Sequence, residues 1–280
     1  MRGGLLGLVF LLSACAKVAP PPTQQVFIDH VISAQAQGAA VPKVSQLLPA
    51  VTVADAQTLQ KTLVAQRVQA GERVVGYKAG LTNVALQQKF GIDTPLIGAL
   101  FARGAYPQDR NIKLKPYYKP LIETEIGFII SVAIAEAVSA ETDLSQKIVM
   151  ALPVIELPDM AFADPNNLTA MDLIASNVGA AGYIFGEPVT LKNRDVNKVS
   201  AKLTLNNEIM SQGHASDALG DQWVALRWLI NAAVAQGWSL QPGDILITGA
   251  LGTVVPAQKG VYVADFGDLG RIGFTVEETP

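Results

Sequence analysis

Residues 120–130 read PLIETEIGFII, and this stretch predicts a β-strand at the centre of the fold. Its apolar and β-branched residues favour an extended backbone, in which successive side chains point to opposite faces. One face then carries Glu123, Glu125 and Gly127. The other face carries Ile122, Ile126, Phe128 and Ile130. The strand therefore presents two carboxylates on the same side of a sheet.

These two carboxylates need a compensating charge. Like charges about 7 Å apart on an apolar strand repel each other and are costly to remove from water unless a cation or a proton neutralises them. A third carboxylate, Glu156, lies in the apolar run VIELPD at residues 154–159 and is a candidate third ligand. Oxygen ligands favour Mg²⁺ or Mn²⁺ over zinc, and the chain has only one cysteine and two histidines. The alternative is a solvated outer face of an edge strand.

The remaining chain mixes helices and strands without a regular βαβ order. Residues 52–70 predict an amphipathic helix with Asp55 as a possible N-cap, and residues 221–236 predict a second helix. Its apolar face is assigned to Val224, Trp228 and Ala232. Further strands are predicted at residues 74–77, 155–157, 202–205, 245–248, 261–264 and 272–276. We therefore expect an α+β chain whose last two thirds form a β-rich roll with helices outside it.

Composition excludes several classes of function. The 280 residues are 50% hydrophobic and 16% charged, so the chain can bury a large core. Its net charge of -3, without a long basic run, gives no electrostatic footprint for nucleic acid. The chain also lacks GxSxG and GxGxxG motifs, which argues against a serine hydrolase triad and a classical dinucleotide site.

The N-terminus predicts export. Residues 1–15, MRGGLLGLVFLLSAC, place Arg2 before an apolar run that is too short to span a bilayer. The end of this segment resembles a bacterial lipobox, in which the cysteine, here Cys15, becomes the lipidated mature N-terminus. The alternative is a buried helix with an accidental cysteine. We expect an exported lipoprotein anchored to the membrane by its N-terminal lipid, and Ala16 points to the periplasmic face of the outer membrane in a Gram-negative host.

The predicted organisation has three parts. Residues 1–15 are the signal peptide, and residues 16–26 are a proline-rich tether. Residues 27–280 form one domain, with a helical part at 27–75 and the roll at 76–280.

Six segments resemble, in order, the motifs of 2-keto-4-pentenoate hydratases. They are GYKAGLTN (76–83), FGIDTPLIGALF (90–101), PLIETEIGFII (120–130), VIELPD (154–159), ASNVGAAGYIFG (175–186) and PGDILITGALG (242–252). These enzymes belong to the fumarylacetoacetate hydrolase-like superfamily. The resemblance implies a mixed β-roll with peripheral helices and a helical N-terminal region, assembled as a homo-oligomer.

The resemblance also assigns site residues. It implies metal ligation by Glu123, Glu125 and Glu156. It pairs Lys78 with Asp93 for proton transfer, whereas the alternative for Lys78 is a buried stem whose ammonium reaches water or a carboxylate. It places Leu81, Asn177 and Thr248 in segments that line the substrate pocket, although an isolated Asn or Thr is more often a turn or cap residue.

The implied reaction is hydration of a small 2-oxo acid. Substrates of this group are 2-hydroxy-dienoates and their 2-oxo tautomers, and water addition gives a 4-hydroxy-2-oxo acid. A related 2-oxo-enedioate decarboxylase has a similar centre, and an exported binding lipoprotein without catalysis is a further alternative. Three positions depart from the hydratase pattern. Ser176 and Gly179 replace the Asp and Ser of Asp-Asn-Ala-Ser, and Ala161 stands where an arginine is common.

Overall fold

Two β-sheets and six α-helices form the part of the chain that the structure, a computed structural model, describes, residues 22–278. The helices are α1 (Pro22–Gln37), α2 (Val44–Leu47), α3 (Val53–Gln69), α4 (Val84–Lys89), α5 (Ala170–Ala175) and α6 (Gln222–Ala235). The strands are β1 (Val74–Gly80), β2 (Leu96–Phe101), β3 (Ala105–Tyr106), β4 (Asn111–Lys113), β5 (Leu121–Ile130), β6 (Ile148–Leu157), β7 (Gly182–Phe185), β8 (Val189–Thr190), β9 (Ser200–Leu205), β10 (Glu208–His214), β11 (Ile245–Ile247), β12 (Val255–Pro256), β13 (Gly260–Asp265) and β14 (Arg271–Glu277).

The larger sheet has the strand order β2-β1-β11-β5-β6-β7-β3, with β12 paired to β5 and β8 paired to β6. The smaller sheet has the order β10-β9-β13-β14-β4. Strand β1 is parallel to β11, whereas β5 is antiparallel to both β11 and β6, so the larger sheet is mixed. All seven predicted strands are present within these elements. The predicted α+β roll with peripheral helices is therefore confirmed.

Strand β5 lies in the middle of the larger sheet and separates the main core from the polar site. Its apolar residues Ile122, Ile126, Phe128 and Ile130 are buried in the main hydrophobic cluster, together with residues of α6 and of the smaller sheet. Burying each such side chain contributes about 1.5–3 kcal/mol to folding. The carboxylates of β5 therefore occur on the opposite face, as its alternating pattern predicts.

Helix α6 packs on the main core with a different face from the predicted one. Its buried apolar residues are Ala225, Leu226, Leu229, Ile230 and Ala233. Trp228 and Ala232 are partly buried and pack against this core, whereas Val224 is 53% exposed, so the predicted face is wrong at Val224 and misses the fully buried residues. The helix begins after Asp221, whose side chain accepts hydrogen bonds from the first turn.

Helix α3 begins one residue after Thr52, which is the N-cap. Asp55 is the third helical residue and completes a capping box, in which its side chain accepts a hydrogen bond from the Thr52 backbone. The prediction of Asp55 as N-cap is therefore wrong by three residues, although the helix itself is confirmed.

The N-terminal helices pack as a second layer on the larger sheet. Phe27, Ile28 and Val31 of α1 share a buried cluster with Leu59 and Leu63 of α3. Helix α1 begins at Pro22, inside the segment predicted as a tether, so the helical part starts before residue 27. Cys15 and the predicted signal peptide lie outside the described residues. Within residues 22–278, no helix is long and apolar enough to cross a membrane.

Candidate metal centre

Three glutamates meet on one face of the larger sheet. The antiparallel register places Glu156 of β6 directly opposite Glu123 of β5, and Glu125 lies two residues further along β5. One carboxylate oxygen from each residue lies within 4.8 Å of the others. The structure therefore brings together the three residues predicted as metal ligands.

The carboxylate oxygens of this site lack sufficient hydrogen-bond donors. Glu125 is fully buried, and its Oε2 accepts a hydrogen bond of 2.7 Å from the Gly249 amide. Within the described chain, Glu125 Oε1 and both oxygens of the fully buried Glu156 accept no hydrogen bond. Burying such oxygens without a partner is unfavourable. A convergent set of oxygen donors with free lone pairs fits a divalent cation that prefers oxygen ligands.

Lys78 supplies the positive charge of the site. Its Nζ lies 2.9 Å from Glu156 Oε1, and the residue is only 3% exposed. The two groups form a buried ion pair, whereas Glu156 Oε2 and Glu125 Oε1 have no hydrogen-bond partner among the described residues. Three ionised carboxylates and one ammonium, -3 and +1, leave a charge of -2. A divalent cation would neutralise this charge.

A glycine on the neighbouring strand makes room for the Lys78 side chain. Lys78 pairs in register with Gly98 of the neighbouring strand β2. A methyl group on Gly98 would lie 3.2 Å from Lys78 Cγ and 3.3 Å from Cε, which is a tight contact. The absence of a side chain at Gly98 therefore lets the lysine stem lie over β2 and direct its ammonium to the glutamates.

Burial and mutual repulsion shift the pKa values of the site. Burial and the neighbouring Glu156 raise the pKa of Glu123 to about 7. Burial, Glu156 and Glu123 also raise the pKa of Glu125 well above its usual 4.5. Burial lowers the pKa of Lys78, but the attraction of Glu156, Glu123 and Glu125 outweighs it and the net pKa lies above 10.5. Lys78 is therefore a charged ammonium at neutral pH.

The raised carboxyl pKa values predict that the metal-free protein loses stability as pH rises. Above pH 4.5 the unfolded chain releases protons that the folded site still holds, so the free energy of unfolding falls until the folded pKa is passed. For Glu123, the difference between a pKa of 4.5 in the unfolded chain and about 7 in the folded site corresponds to a loss of about 3 kcal/mol in the free energy of unfolding. Urea unfolding in the presence of a chelator at pH 5 and pH 7.5 measures this loss.

A cation should reverse this pH dependence, because it competes with protons for the same oxygens. With saturating Mg²⁺, the protein should be at least as stable at pH 7.5 as at pH 5. In the presence of a chelator, Glu123→Gln should reduce the fall in the free energy of unfolding between pH 5 and pH 7.5. Glu208→Gln, at an exposed strand position, should not change it. A metal-free protein that becomes more stable from pH 5 to pH 7.5 would contradict the prediction.

Asp93 is not paired with Lys78 in this structure. It is exposed in the segment between α4 and β2, and Lys78 pairs with Glu156 instead. The predicted proton transfer between Lys78 and Asp93 therefore stays a prediction. The next residue, Thr94, accepts a hydrogen bond of 3.0 Å from the Trp228 indole of α6.

The three predicted substrate contacts have different surroundings. Leu81 is partly buried at the end of β1 and has a left-handed backbone, with φ of 54°. Asn177 is fully buried, and its amide group binds both the N–H and the C=O of Ala99, at 2.8 and 2.9 Å. Thr248 is also fully buried, and its hydroxyl lies 2.6 Å from Gln222 Oε1. The polar groups of Asn177 and Thr248 thus stabilise the walls of the site.

Sequence reasoning missed two residues beside the centre. Gly249 follows Thr248 and donates its amide to Glu125, and its φ of 114° suits only glycine. Val178 follows Asn177 and packs against Gly80 of β1. Each of the two residues directly follows a residue that the resemblance assigns to the substrate pocket.

A cavity of about 210 Å³ lies between α1 and the body of the domain. Its lining includes Ser176, Gly179 and Ala161. The three glutamates of the metal centre and Lys78 do not line it. The three departures from the hydratase pattern therefore border this cavity and leave the carboxylate–lysine centre intact.

Comparison with known proteins agrees with this geometry. Residues 73–277 match the fumarylacetoacetate (FAA) hydrolase C-terminal family. The chain is 32% identical over 247 residues to a 2-keto-4-pentenoate hydratase of Burkholderia vietnamiensis, covering 88% of this chain and 94% of the relative. A hydratase of the same name from Paraburkholderia phymatum is 34% identical over 210 residues, covering 74% and 80% of the two chains.

Among solved structures, 4-oxalocrotonate decarboxylase from Pseudomonas putida G7, complexed with magnesium and adipate, has a TM-score of 0.87 at 21% identity. The match covers 94% of this chain and all of the decarboxylase, and it confirms the predicted fumarylacetoacetate hydrolase-like fold. The chain therefore belongs to the fumarylacetoacetate hydrolase family and is a homologue of its 2-keto-4-pentenoate hydratases.

Proposed function

We propose that this protein is a hydro-lyase that adds water to a 2-hydroxy-dienoate, through its 2-oxo-enoate tautomer, to give a 4-hydroxy-2-oxo acid. The observation that carries the proposal is the buried glutamate cluster with its single lysine. Its residual charge of -2 suits a divalent cation, and it occurs in a chain that is about one third identical to named hydratases over most of its length. Ser176, Gly179 and Ala161 depart from the hydratase pattern, but all the residues of the glutamate–lysine cluster are present.

Glu123, Glu125 and Glu156 would hold the cation, for which Mg²⁺ or Mn²⁺ is the best match to an all-oxygen donor set. When bound, such a cation supplies a Lewis acid that stabilises negative charge on a 2-oxo acid. The Gly249 amide keeps Glu125 in place through its hydrogen bond to Oε2, so Oε1 is left free to ligate.

Lys78 would hold the proton that the reaction moves. Its ammonium is buried beside Glu156 and remains charged at neutral pH, so it can donate a proton to the terminal carbon of the dienol. The proton lost from the 2-hydroxyl group would restore the ammonium, and the net change is isomerisation to the enone. Burial also keeps bulk water from this ammonium. A role for Asp93 as its partner stays a prediction and would require the segment between α4 and β2 to bring that carboxylate to the site.

The full chain, purified in a mild detergent and stripped with a chelator, tests this proposal. After addition of Mg²⁺ or Mn²⁺, it should consume 2-hydroxypenta-2,4-dienoate, measured as loss of dienol absorbance, and should form 4-hydroxy-2-oxopentanoate. The chelated protein serves as the control. Release of CO₂ from a 2-oxo-enedioate, without hydration, would support the decarboxylase alternative. Cation binding without turnover of either substrate would support the non-catalytic binding lipoprotein.

We further propose that the protein is exported and anchored through a lipid on Cys15, at the periplasmic face of the outer membrane if the host is Gram-negative. The support is the sequence of residues 1–15. Cys15→Ser should move the chain from the membrane fraction to the soluble fraction and abolish labelling by an alkyne fatty acid. Equal labelling of the two proteins would contradict this. Assembly as a homo-oligomer stays a prediction from the family resemblance.

A further inference from the structure

Residues 177–179 form a strained left-handed turn beside the metal centre. Asn177, Val178 and Gly179 have φ angles of 64°, 54° and 64°. A β-branched residue rarely adopts this conformation, which costs about 1–2 kcal/mol for an L-residue. Surrounding contacts must therefore hold Val178 in place.

Asn177 provides the main anchor of this turn. Strand β2 is the edge of the larger sheet, and the Asn177 amide binds the N–H and C=O of Ala99 in the way that a neighbouring strand would. Gln60 of α3 adds a longer contact of 3.3 Å to Asn177 Oδ1. The turn is also closed by the bond from the Ala180 amide to the Asn177 carbonyl, at 3.0 Å. This anchoring fixes the position of the next side chain.

The Val178 side chain lies against Gly80, the last residue of β1, two positions after Lys78. Val178 is 6% exposed, and a methyl group placed on Gly80 would lie 2.8 Å from Val178 Cγ1. The same position lies 3.9 Å from Lys78 Nζ. The isopropyl group and the ammonium therefore flank one glycine at the end of β1. Leu81, the next residue of the chain, packs in the same apolar cluster as Val178.

We propose that Val178 is a specificity-determining residue that limits the bulk of the substrate's carbon chain beyond its 2-oxo acid group. The proposal rests on the proposed function, because it assumes that the charged head of a 2-oxo acid is held by a cation and by Lys78. An apolar methyl group cannot bind that head, so its contact with the substrate would be with the uncharged part. Since the turn is anchored on β2, Val178 cannot easily move aside for a larger group.

Two variants of Val178 separate size from other effects. Val178→Ala removes two methyl groups, whereas Val178→Thr keeps the branched shape. The measured quantity is the ratio of kcat/KM for a 2-hydroxy-dienoate with a bulky 5-substituent to that for 2-hydroxypenta-2,4-dienoate. Val178→Ala should raise this ratio about 10-fold, the usual effect of a small change in pocket size, and Val178→Thr should leave it near the wild-type value.

A binding measurement makes the test independent of turnover. Calorimetry on the Mg²⁺-loaded full chain compares the affinities for pyruvate and 4-methyl-2-oxopentanoate, and Val178→Ala should favour the bulkier acid by a similar factor. Val178→Gly, which relieves the left-handed strain, provides the same comparison if the alanine variant does not fold. Equal ratios in wild type, Val178→Ala and Val178→Gly would overturn the inference. If the wild type binds 2-oxo acids selectively but hydrates none, only the proposed function fails, whereas a failure to bind any 2-oxo acid would overturn both.

Discussion

Replacing Glu125 with glutamine is expected to lower turnover of 2-hydroxypenta-2,4-dienoate by about 10³-fold, the loss typical when a charge-stabilising group is removed from an active site. The substitution is nearly isosteric. The glutamine oxygen can still accept the Gly249 amide, while an NH₂ group takes the place of the free Oε1 and cannot ligate a cation. The fold should therefore persist while the cation site is lost.

The stability of the same variant provides an independent measurement. Wild-type protein should gain stability from Mg²⁺, because the cation binds the folded state only, and Glu125→Gln should lose this gain. In the presence of a chelator the variant should be more stable than the wild type at pH 8, because one of three mutually repelling buried carboxylates has become neutral. Glu208→Gln should change neither quantity. Wild-type Mg²⁺ affinity in Glu125→Gln would exclude Glu125 as a ligand.

The central strand was predictable because its period-two pattern is unambiguous. Alternation of apolar and polar residues in β5 fixes which side chains meet the core and which face away from it. The convergence of Glu156 on Glu123 could not be derived in the same way. It depends on the register between β5 and β6, which pairs residues more than thirty positions apart and has no local signal in either strand.

Helix α6 shows how a helical pattern can mislead. Residues 224, 228 and 232 are spaced four apart and are apolar, yet the buried face is the one that carries Ala225, Leu229 and Ala233. Because this helix is apolar on most of its surface, its sequence does not select a face. The shape of the sheet beneath it decides, since small alanine side chains let the helix lie close to the strands.

The roles of Asn177 and Thr248 were hidden for a different reason. Their amide and hydroxyl groups can bind a substrate or the backbone equally well, and only the position of strand β2 and of Gln222 shows that these groups are already used. The same limit applies to Lys78. Burial beside a carboxylate was foreseeable, but the choice of Glu156 over Asp93 depends on how far each lies from β1 in the folded chain.

Replacing Lys78 with methionine should abolish turnover about as completely as Glu125→Gln but should have the opposite effect on metal-free stability. Methionine fills the space beside Gly98 without the ammonium, so Glu156 and its neighbours lose their compensating charge. Breaking a buried ion pair in this way typically costs 3–5 kcal/mol. Urea unfolding with a chelator at pH 8, above the pKa of about 7 of Glu123, measures this loss.

Two further variants distinguish the charge of Lys78 from its chemistry. Lys78→Met combined with Glu156→Gln removes both members of the ion pair and should recover much of the lost stability, because the repulsion of Glu156 on Glu123 and Glu125 is removed together with the ammonium. Turnover should stay absent, since the proton donor is still missing. Lys78→Arg keeps the positive charge but gives up its proton far less readily, so it should be more stable than Lys78→Met in the presence of a chelator and still fail to form the enone. If Lys78→Met has the same free energy of unfolding as the wild type in the presence of a chelator at pH 8, the ammonium does not compensate the glutamates, and the charge role assigned to Lys78 is contradicted.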